Sequence, residues 1–237
     1  MQLFYHREIS ENDSRITFPK EESRHIVKVL RKNPGDTIMV TNGNGFLFTT
    51  EITSASPQKC IAKVNQVERE ALPRYQLHLM VAPTKMNDRY EWFLEKATEI
   101  GVQEITPVIC GNSERKVVKP ERYEKVIQSA MKQSLHYTKP ILNEAINFQD
   151  IINLKVEGRK FIAYCEEGKE RDALKDLIQP GKKYCILIGP EGDFTPKEIE
   201  LAVETGWQPV SLGKSRLRTE TAAIVACHTV ALINETN

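Results

Sequence analysis

The sequence predicts a two-part α/β protein, a small β-barrel up to residue 70 followed by a larger domain with a mostly parallel sheet. Three observations lead to this fold class. Up to residue 70 the apolar pattern is that of short strands around a strong turn. From residue 77 onward, short apolar runs alternate with amphipathic helical segments. Residues 68–74 form a charged linker, so we place the two domains at 1–70 and 74–237.

The elements of the first domain follow from alternation and turn chemistry. Apolar runs at 37–40 and 46–52 flank the turn Asn42-Gly43-Asn44-Gly45, a strong hairpin signal. Residues 60–67 alternate with period two, as a half-buried strand does. A short helix is expected at 21–31. Together these predict a small barrel.

The second domain is predicted from apolar runs and helix-end signals. Strands are expected at 77–82, 104–109, 160–165 and 184–188. Asn87 should cap a helix that runs to Ile100 before Gly101, and Pro120 should open another. Thr195 begins a capping box for a third helix. The last helix should cover 221–234, so helices are expected on both faces of the sheet.

Composition limits the class of protein. The chain has 237 residues and a net charge of +1, so nucleic-acid binding would come from local patches. Five cysteines show no CxxC spacing, which favours a reducing compartment and no metal site. Cys165, Cys185 and Cys227 lie in apolar runs and are expected to be buried free thiols. With neither a secretory signal nor a membrane span in the sequence, we expect a cytoplasmic protein.

Two loops decide the interpretation of the second domain. One runs from Gly189 to Asp193 and the other from Leu212 to Ala222, and each leads from a strand into a helix. Loops at the carboxyl ends of neighbouring parallel strands form the ligand pocket of such sheets. The glycines of the first loop would let backbone approach a flat heterocycle such as adenine. A tight turn without a ligand explains the same residues about as well.

The second loop and two other segments are basic. Lys214, Arg216 and Arg218 would be costly to bury without anions, although a solvated loop is the simpler alternative. Thr219 and Thr221 are candidate helix caps, and Glu220 is expected to pair with an arginine. Residues 114–139 hold seven cations and three glutamates, which suits RNA phosphates or, equally, a solvated helix face. His136 and Tyr137 are candidates for stacking on bases.

Three classes of function are weighed: an RNA methyltransferase, a non-catalytic RNA-binding assembly factor and a nucleotide-dependent oxidoreductase. Neither a phosphate-binding GxxxxGK[ST] loop nor a GxGxxG motif after the first α/β strand is present, which disfavours an ATPase and a nucleotide-dependent oxidoreductase. A non-catalytic RNA-binding ribosome-assembly factor would explain the basic segments but leaves the glycine-bearing loops without a role. An RNA methyltransferase would account for both.

Motifs in order along nearly the whole chain resemble the RsmE family of SPOUT-class RNA methyltransferases. They are His25…Val29-Leu30-Arg31…Gly35-Asp36, Lys85…Lys96-Ala97-Thr98-Glu99-Ile100-Gly101, Gln133-Ser134, Gly189-Pro190-Glu191-Gly192 and Leu212-Gly213…Leu217-Arg218-Thr219-Glu220-Thr221-Ala222. The resemblance implies an N-terminal PUA-like barrel and a C-terminal SPOUT domain with a deep trefoil knot. It also implies S-adenosylmethionine as cofactor, a homodimer, no metal, and methylation of a uridine N3 in 16S ribosomal RNA or the small ribosomal subunit.

The resemblance assigns roles by position. The cofactor-binding candidates are Tyr164, Leu187, Ile188, Gly189, Pro190, Glu191, Gly192, Leu212, Gly213, Leu217 and Thr219, with Cys165 and Glu166 as part of a third wall. Because N3 of uridine is a poor nucleophile until its proton leaves, the site needs a base or cations, and Arg218 and Glu220 are the catalytic candidates. The RNA-binding candidates come instead from the charge of the basic segments, and they are Arg24, His25, Arg31, Arg115, Lys116, Arg122 and Lys132.

The chain departs from the family pattern at a few positions. Asp193 replaces a second glycine, and Ser215-Arg216 stands where an arginine and an aliphatic residue are common. Lys132 and His136 stand where a glutamate and an arginine are frequent. These departures weaken the roles of Arg216 and His136 without touching the pocket glycines.

Overall fold

The computed structural model describes residues 2–151, 154–165 and 171–235, which fall into two compact units. The first comprises Met1–Leu72 and Met131–Lys139, and the second Pro73–Ala130 and Pro140–Asn237. The first unit therefore takes a short segment from the middle of the chain. The domain limits at 1–70 and 74–237 stay a prediction.

The first unit is a five-stranded sheet with one short helix. Its elements are β1 (Leu3–Tyr5), β2 (Arg15–Thr17), α1 (Lys20–Arg24) continued by a π-helical turn (His25–Val29), β3 (Thr37–Thr41), β4 (Phe46–Ser54) and β5 (Ile61–Arg69). The strand order is β1-β3-β4-β5-β2, parallel only between β1 and β3. The sheet curls into a half-barrel. Its edge strands β1 and β2 do not pair with each other, so the predicted barrel is open rather than closed.

Side-chain chemistry explains two features of this unit. Gly43 and Gly45 have φ of +76° and +83°, so the predicted hairpin turn is confirmed with glycine where L-residues are strained. The buried Ser23 hydroxyl donates to the Phe18 carbonyl and accepts from the Cys60 amide, which fastens α1 to the sheet. The helix predicted at 21–31 is confirmed as a helical run from Lys20 to Val29, which ends two residues earlier than expected and is π-helical in its second half.

The segment 131–139 completes the first unit by backbone hydrogen bonds to the hairpin. The carbonyl of Tyr137 accepts from the Thr41 hydroxyl at 2.8 Å and from the Gly45 amide at 2.9 Å. The amide of Lys139 donates to the carbonyl of Gly43 at 2.8 Å. These bonds satisfy buried backbone groups at the turn, so the segment acts as a further edge of this sheet.

The second unit is a parallel sheet covered by helices. Its elements are β6 (Gln76–Val81), α2 (Asn87–Ile100), β7 (Glu104–Ile109), α3 (Pro120–Gln133), β8 (Ile141–Leu142), β9 (Ile146–Asn147), α4 (Phe148–Ile151), β10 (Arg159–Ala163), α5 (Leu174–Leu177), β11 (Lys183–Ile188), α6 (Pro196–Glu204), β12 (Gln208–Val210) and α7 (Thr219–Glu235). The strand order is β12-β10-β11-β6-β7-β8, and β9 also pairs with β7.

Continuous apolar strands form this sheet because both of its faces are buried. On one face Leu79 and Ile186 pack in a cluster with Phe93 of α2 and Ala226 of α7. On the other face Met80 and Leu187 belong to a cluster that includes Ala202 of α6. The predicted α/β class with helices on both faces is confirmed.

The helix ends match the predicted signals at three of four places. Gly101 ends α2 with φ +100°, Pro120 opens α3, and Thr195 and Glu198 form the capping box of α6. The predicted cap at Asn87 is wrong, because Met86 is the N-cap and makes no side-chain cap bond. Asn87 instead donates its side-chain amide to Glu91 one turn later.

Candidate active site

A cavity of about 740 Å³ lies where β10, β11 and β12 end side by side. We call it the first cavity. Its floor comes from strand ends such as Ala163, Ile188 and Val210, and its sides from the loops 189–193 and 211–219. Parallel strands end at the same edge, so the topology itself brings the two predicted loops together.

The first loop is held in place by side chains from other elements. Glu191 accepts a hydrogen bond from the Lys85 amide at 2.9 Å. The side-chain amide of Asn112 donates to the carbonyls of Gly192 and Asp193 at 3.0 and 3.1 Å. These bonds fix the loop to residues that do not line the first cavity.

Asp193 has a defined structural task at the position where the resemblance led us to expect a glycine. Its φ is +62°, in the left-handed region that favours glycine or an Asx residue. Its carboxylate accepts from the Cys165 amide at 2.7 Å and from the Phe194 amide at 2.8 Å. The side chain thus ties the end of β10 to the first loop, which explains how a non-glycine residue is accommodated.

Tight packing beneath the first loop favours glycine at both of its glycine positions. A Cβ on Gly189 would lie 3.0 Å from the Phe194 ring, and one on Gly192 would lie 3.1 Å from the Asn112 Cβ. Both explanations that the sequence left open, a tight turn and close approach of a ligand, are compatible with this packing. Gly213 differs, because its φ of +136° needs glycine while nothing crowds its Cβ position.

Thr219 links the two loops. It is the first residue of α7, and its hydroxyl donates to the carbonyl of Gly189 at 3.0 Å. The predicted capping roles of Thr219 and Thr221 are wrong in this respect, because α7 begins two residues earlier than expected and Thr221 lies inside it. The bond satisfies a carbonyl at the rim of the first cavity and holds the two walls together.

Most of the cofactor-binding candidates lie on the wall of the first cavity. They are Tyr164, Ile188, Gly189, Pro190, Glu191, Leu212, Gly213, Leu217 and Thr219. Leu187 points into the opposite core cluster, and Gly192 packs against Asn112 instead. Glu166 lies outside the described residues. The cofactor roles of these residues stay a prediction.

Two residues of the first cavity were missed or misjudged from the sequence. Cys165 is exposed on its wall, whereas Cys60, Cys110, Cys185 and Cys227 are buried, so the predicted burial of Cys165 is wrong. It follows β10 rather than lying within the strand. Arg171 also lines the cavity, and its guanidinium donates to the Tyr164 carbonyl at 2.6 Å. No motif marks Arg171, since only the fold brings it there.

A second cavity of about 620 Å³ adjoins the first. It is lined by Asp88, Arg89, Trp92, Arg216, Leu217, Arg218, Glu220 and Thr221. The two cavities share the wall Arg216–Arg218. Both catalytic candidates, Arg218 and Glu220, therefore lie beside the space adjoining the cofactor candidates.

Glu220 is buried and partly unsatisfied. Its side chain is 9% exposed, and Oε1 lies 3.8 Å from Nε of Arg89 on α2. Oε2 has no hydrogen-bond partner among the residues that the structure describes. The sequence predicted an arginine partner for Glu220, but only the packing of α2 against α7 identifies it as Arg89.

The RNA-binding candidates divide into side chains that bond to other parts of the protein and side chains that are exposed at the surface. Arg115 donates to the carbonyls of Thr84 and Lys85, Arg122 pairs with Glu91, and Lys132 lies 3.3 Å from Glu22. Four candidates are exposed at the surface: Arg24, His25, Arg31 and Lys116. Exposure leaves these four available to phosphates, whereas the first three already serve the fold.

The described residues contain neither a metal-ligand cluster nor a membrane-spanning helix. No cluster of three or more His, Cys, Asp or Glu side chains in residues 2–151, 154–165 and 171–235 is arranged to hold a metal ion. Across the same ranges, no helix has both the length and the apolar character that crossing a membrane requires.

Comparisons with known proteins agree in both units. Residues 70–231 match the model of an RNA methyltransferase domain, and residues 18–65 match that of an RNA methyltransferase PUA domain. The ribosomal RNA small subunit methyltransferase E of Bacillus subtilis is 30% identical over 91% of this chain and 89% of that protein.

Solved structures similar to this chain also carry the names of ribosomal RNA methyltransferases. A probable rRNA-methyltransferase from Porphyromonas gingivalis is 40% identical with a TM-score of 0.91, covering 100% of this chain and 99% of that one. A ribosomal RNA small subunit methyltransferase E from Neisseria gonorrhoeae, bound to S-adenosyl methionine, is 27% identical with a TM-score of 0.84 and covers 99% and 98%.

Proposed function

The chain belongs to the RNA methyltransferase family that includes ribosomal RNA small subunit methyltransferase E, and on that premise we propose that it methylates N3 of a uridine in 16S ribosomal RNA. The methyl donor is S-adenosylmethionine. The observation that carries this proposal is the first cavity, bounded by two tied loops and sharing an arginine-bearing wall with the second cavity. A non-catalytic assembly factor would have no use for that pair of cavities.

The residues of the first cavity suit S-adenosylmethionine. A volume of about 740 Å³ is in the range of nucleotide-sized ligands. Ile188, Leu212 and Leu217 offer apolar surface for a flat base, and the absence of side chains at Gly189 and Gly213 leaves room for it against the wall. When bound, the cofactor supplies an electrophilic methyl group on a sulfonium.

The protein's own residues prepare the uridine. Arg218 stabilises negative charge on the base through its oxygens as the N3 proton leaves, which is electrostatic stabilisation of a developing anion. Glu220, held by Arg89, accepts the proton at Oε2. The loops that carry these groups are stiffened by Thr219 and Asp193, so little reorganisation is needed.

Residues 1–70 act as the PUA-like RNA-binding domain in this proposal. The match to a PUA domain model and the exposed side chains of Arg24, His25 and Arg31 support this role. Lys116 adds an exposed cation in the second unit. Either naked RNA or the assembled small subunit offers phosphates to these groups.

We also propose the trefoil knot and the homodimer that the resemblance implies. The knot is supported by the course of the chain after β12, which starts at the sheet edge and ends in α7 packed on α2, β6 and β11. Exposed apolar side chains such as Leu232 on α7, 49% exposed, support self-association. Light scattering in solution should give twice the chain mass of 27.1 kDa. A mass of one chain at micromolar concentration would contradict the dimer.

Methyl transfer from labelled cofactor to purified small ribosomal subunits tests the reaction. Mass mapping of the modified nucleotide should find one methyl group on a uridine and none on cytidines. Omitting the cofactor is the control. A methyl group on cytosine, or no transfer at all, would contradict the proposed function.

Cys165 permits an independent test of the cofactor site. Of the five cysteines it alone is exposed, and it lies on the wall of the first cavity. A thiol-alkylating reagent should therefore modify Cys165 first, and S-adenosylmethionine should slow that reaction. The Cys165→Ser variant should resist labelling under the same conditions. Equal labelling with and without cofactor would argue against binding in this cavity.

A further inference from the structure

The second cavity combines three features that a nucleobase would use. It is about 620 Å³, it shares the wall Arg216–Arg218 with the first cavity, and one of its lining residues, Glu220, has a buried carboxylate oxygen with no hydrogen-bond partner among the described residues. A buried polar atom that lacks a partner is costly, and this argues for an external hydrogen-bond donor. The donor would lie next to the cofactor candidates.

Trp92 supplies an exposed aromatic surface in the same cavity. Its side chain is 44% exposed, whereas the other tryptophan, Trp207, is 2% exposed and packs in the core. Arg89 and Trp92 are three residues apart on α2, so they lie on one face of the helix. An exposed indole costs hydration free energy, and stacking of a base on it recovers that cost.

The hydrogen-bond donors and acceptors of the cavity match the edge of uracil that carries N3. Uracil presents an acceptor, the N3–H donor and a second acceptor in a row. Glu220 is an acceptor, and Arg89 and Arg218 are donors on the same cavity wall. Neither Arg216 nor Arg218 pairs with a carboxylate in the part of the chain that the structure describes. Cytosine would instead turn the lone pair of its N3 toward the carboxylate, which is repulsive.

We propose that the second cavity binds the target uracil, with Trp92 as its stacking partner and Arg89 as the positioning residue that orients Glu220 toward N3–H. This inference rests on the proposed function and adds the place of the base and two residues to it. No sequence motif marks either residue, because both lie on α2, more than a hundred residues before the loop that they face.

Steady-state methyl transfer to unmodified small ribosomal subunits tests the role of Trp92. Trp92→Ala should lower kcat/KM for the subunits roughly 10-fold or more, because it loses base stacking. Trp92→Phe should retain most of the activity. Calorimetric affinity for S-adenosylmethionine should stay within about twofold in both variants, since Trp92 does not line the first cavity. Val203→Ala, at another exposed apolar residue, is the matched control.

Arg89 is tested by its conservative variant. Arg89→Gln should lower kcat roughly 10-fold with little change in cofactor affinity, since Glu220 loses its charged partner. Arg89→Lys should restore much of the loss, which a merely structural role would not predict. Lys197→Gln, at an exposed cation on α6, is the control.

These outcomes distinguish failure of the proposed methyltransferase function from failure of the proposed base site alone. If the wild-type protein fails to methylate small subunits, the proposed function fails and the base site with it. If the wild type is active but Trp92→Ala keeps kcat/KM within about twofold, the base site alone is wrong. Weakened binding of S-adenosylmethionine by Trp92→Ala would also overturn it, because Trp92 would then serve the cofactor.

Discussion

Arg218 lies on the wall between the two cavities, so its charge reaches both. We expect Arg218→Ala to lower kcat roughly 100-fold or more while cofactor affinity changes little, because charge stabilisation is lost only as the uridine anion forms. Methyl transfer and calorimetry measure the two effects. Lys197→Ala, at an exposed cation on α6 that lines neither cavity, is the control. Wild-type turnover by Arg218→Ala would remove this residue from the mechanism.

Asp193 shows how one side chain replaces a glycine at a strained position. Asp193→Ala should lower the free energy of unfolding by roughly 1–3 kcal/mol, because alanine is strained at positive φ and both carboxylate bonds are lost. Asp193→Gly loses both hydrogen bonds but is not strained at positive φ. Asp193→Asn keeps one acceptor oxygen and also tolerates positive φ. Urea unfolding should therefore rank stability as wild type, Asn, Gly, then Ala. An alanine variant as stable as the glycine variant would refute the strain argument.

At the scale of elements, His78 connects β6 and β7. Its Nε2 lies 2.7 Å from the Thr106 hydroxyl and 3.7 Å from Glu104, and Asn143 donates to both of those residues. Burial lowers the pKa of His78, and the nearby Glu104 carboxylate opposes that shift only in part. The folded protein thus holds this imidazole neutral at a pH where the unfolded chain would protonate it.

The free energy of unfolding should therefore fall as the pH drops below about 6.5, the value for an unfolded histidine. Above that pH His78 is neutral in both the folded and the unfolded chain, so it does not reduce the free energy of unfolding. The His78→Gln variant should show a smaller loss between pH 6.5 and 5 in urea unfolding. His228→Gln, at an exposed histidine on α7, should keep the wild-type slope. Equal slopes for His78→Gln and wild type would refute the assignment.

Local signals predicted the longer elements well, and contact between distant residues explains what they missed. Strand β7 and helix α2 have the predicted bounds, because long apolar runs and a glycine end signal are properties of adjacent residues. Strands of two or three residues such as β8 and β12 are too short to show a period. The Arg89–Glu220 pair joins residues 131 positions apart, and no local pattern encodes it.

At the scale of the whole molecule, the proposed knot is open to a mechanical test. A knotted chain pulled from its two ends should tighten and stay shorter than the roughly 3.3–3.6 Å per residue of a fully extended chain. Single-molecule stretching measures that length. Pulling the same protein between residues 3 and 69 is the control and should reach full extension. Full extension from the two ends would exclude the knot.

The segment 131–139 has a consequence for synthesis. The first unit needs this segment to close the hairpin edge, yet the segment follows β6, α2, β7 and most of α3 in the chain. During translation the N-terminal sheet therefore cannot complete its hydrogen bonds until the ribosome has passed residue 139. By that time more than fifty residues of the other unit have already been made. The two units must mature in overlapping steps rather than one after the other.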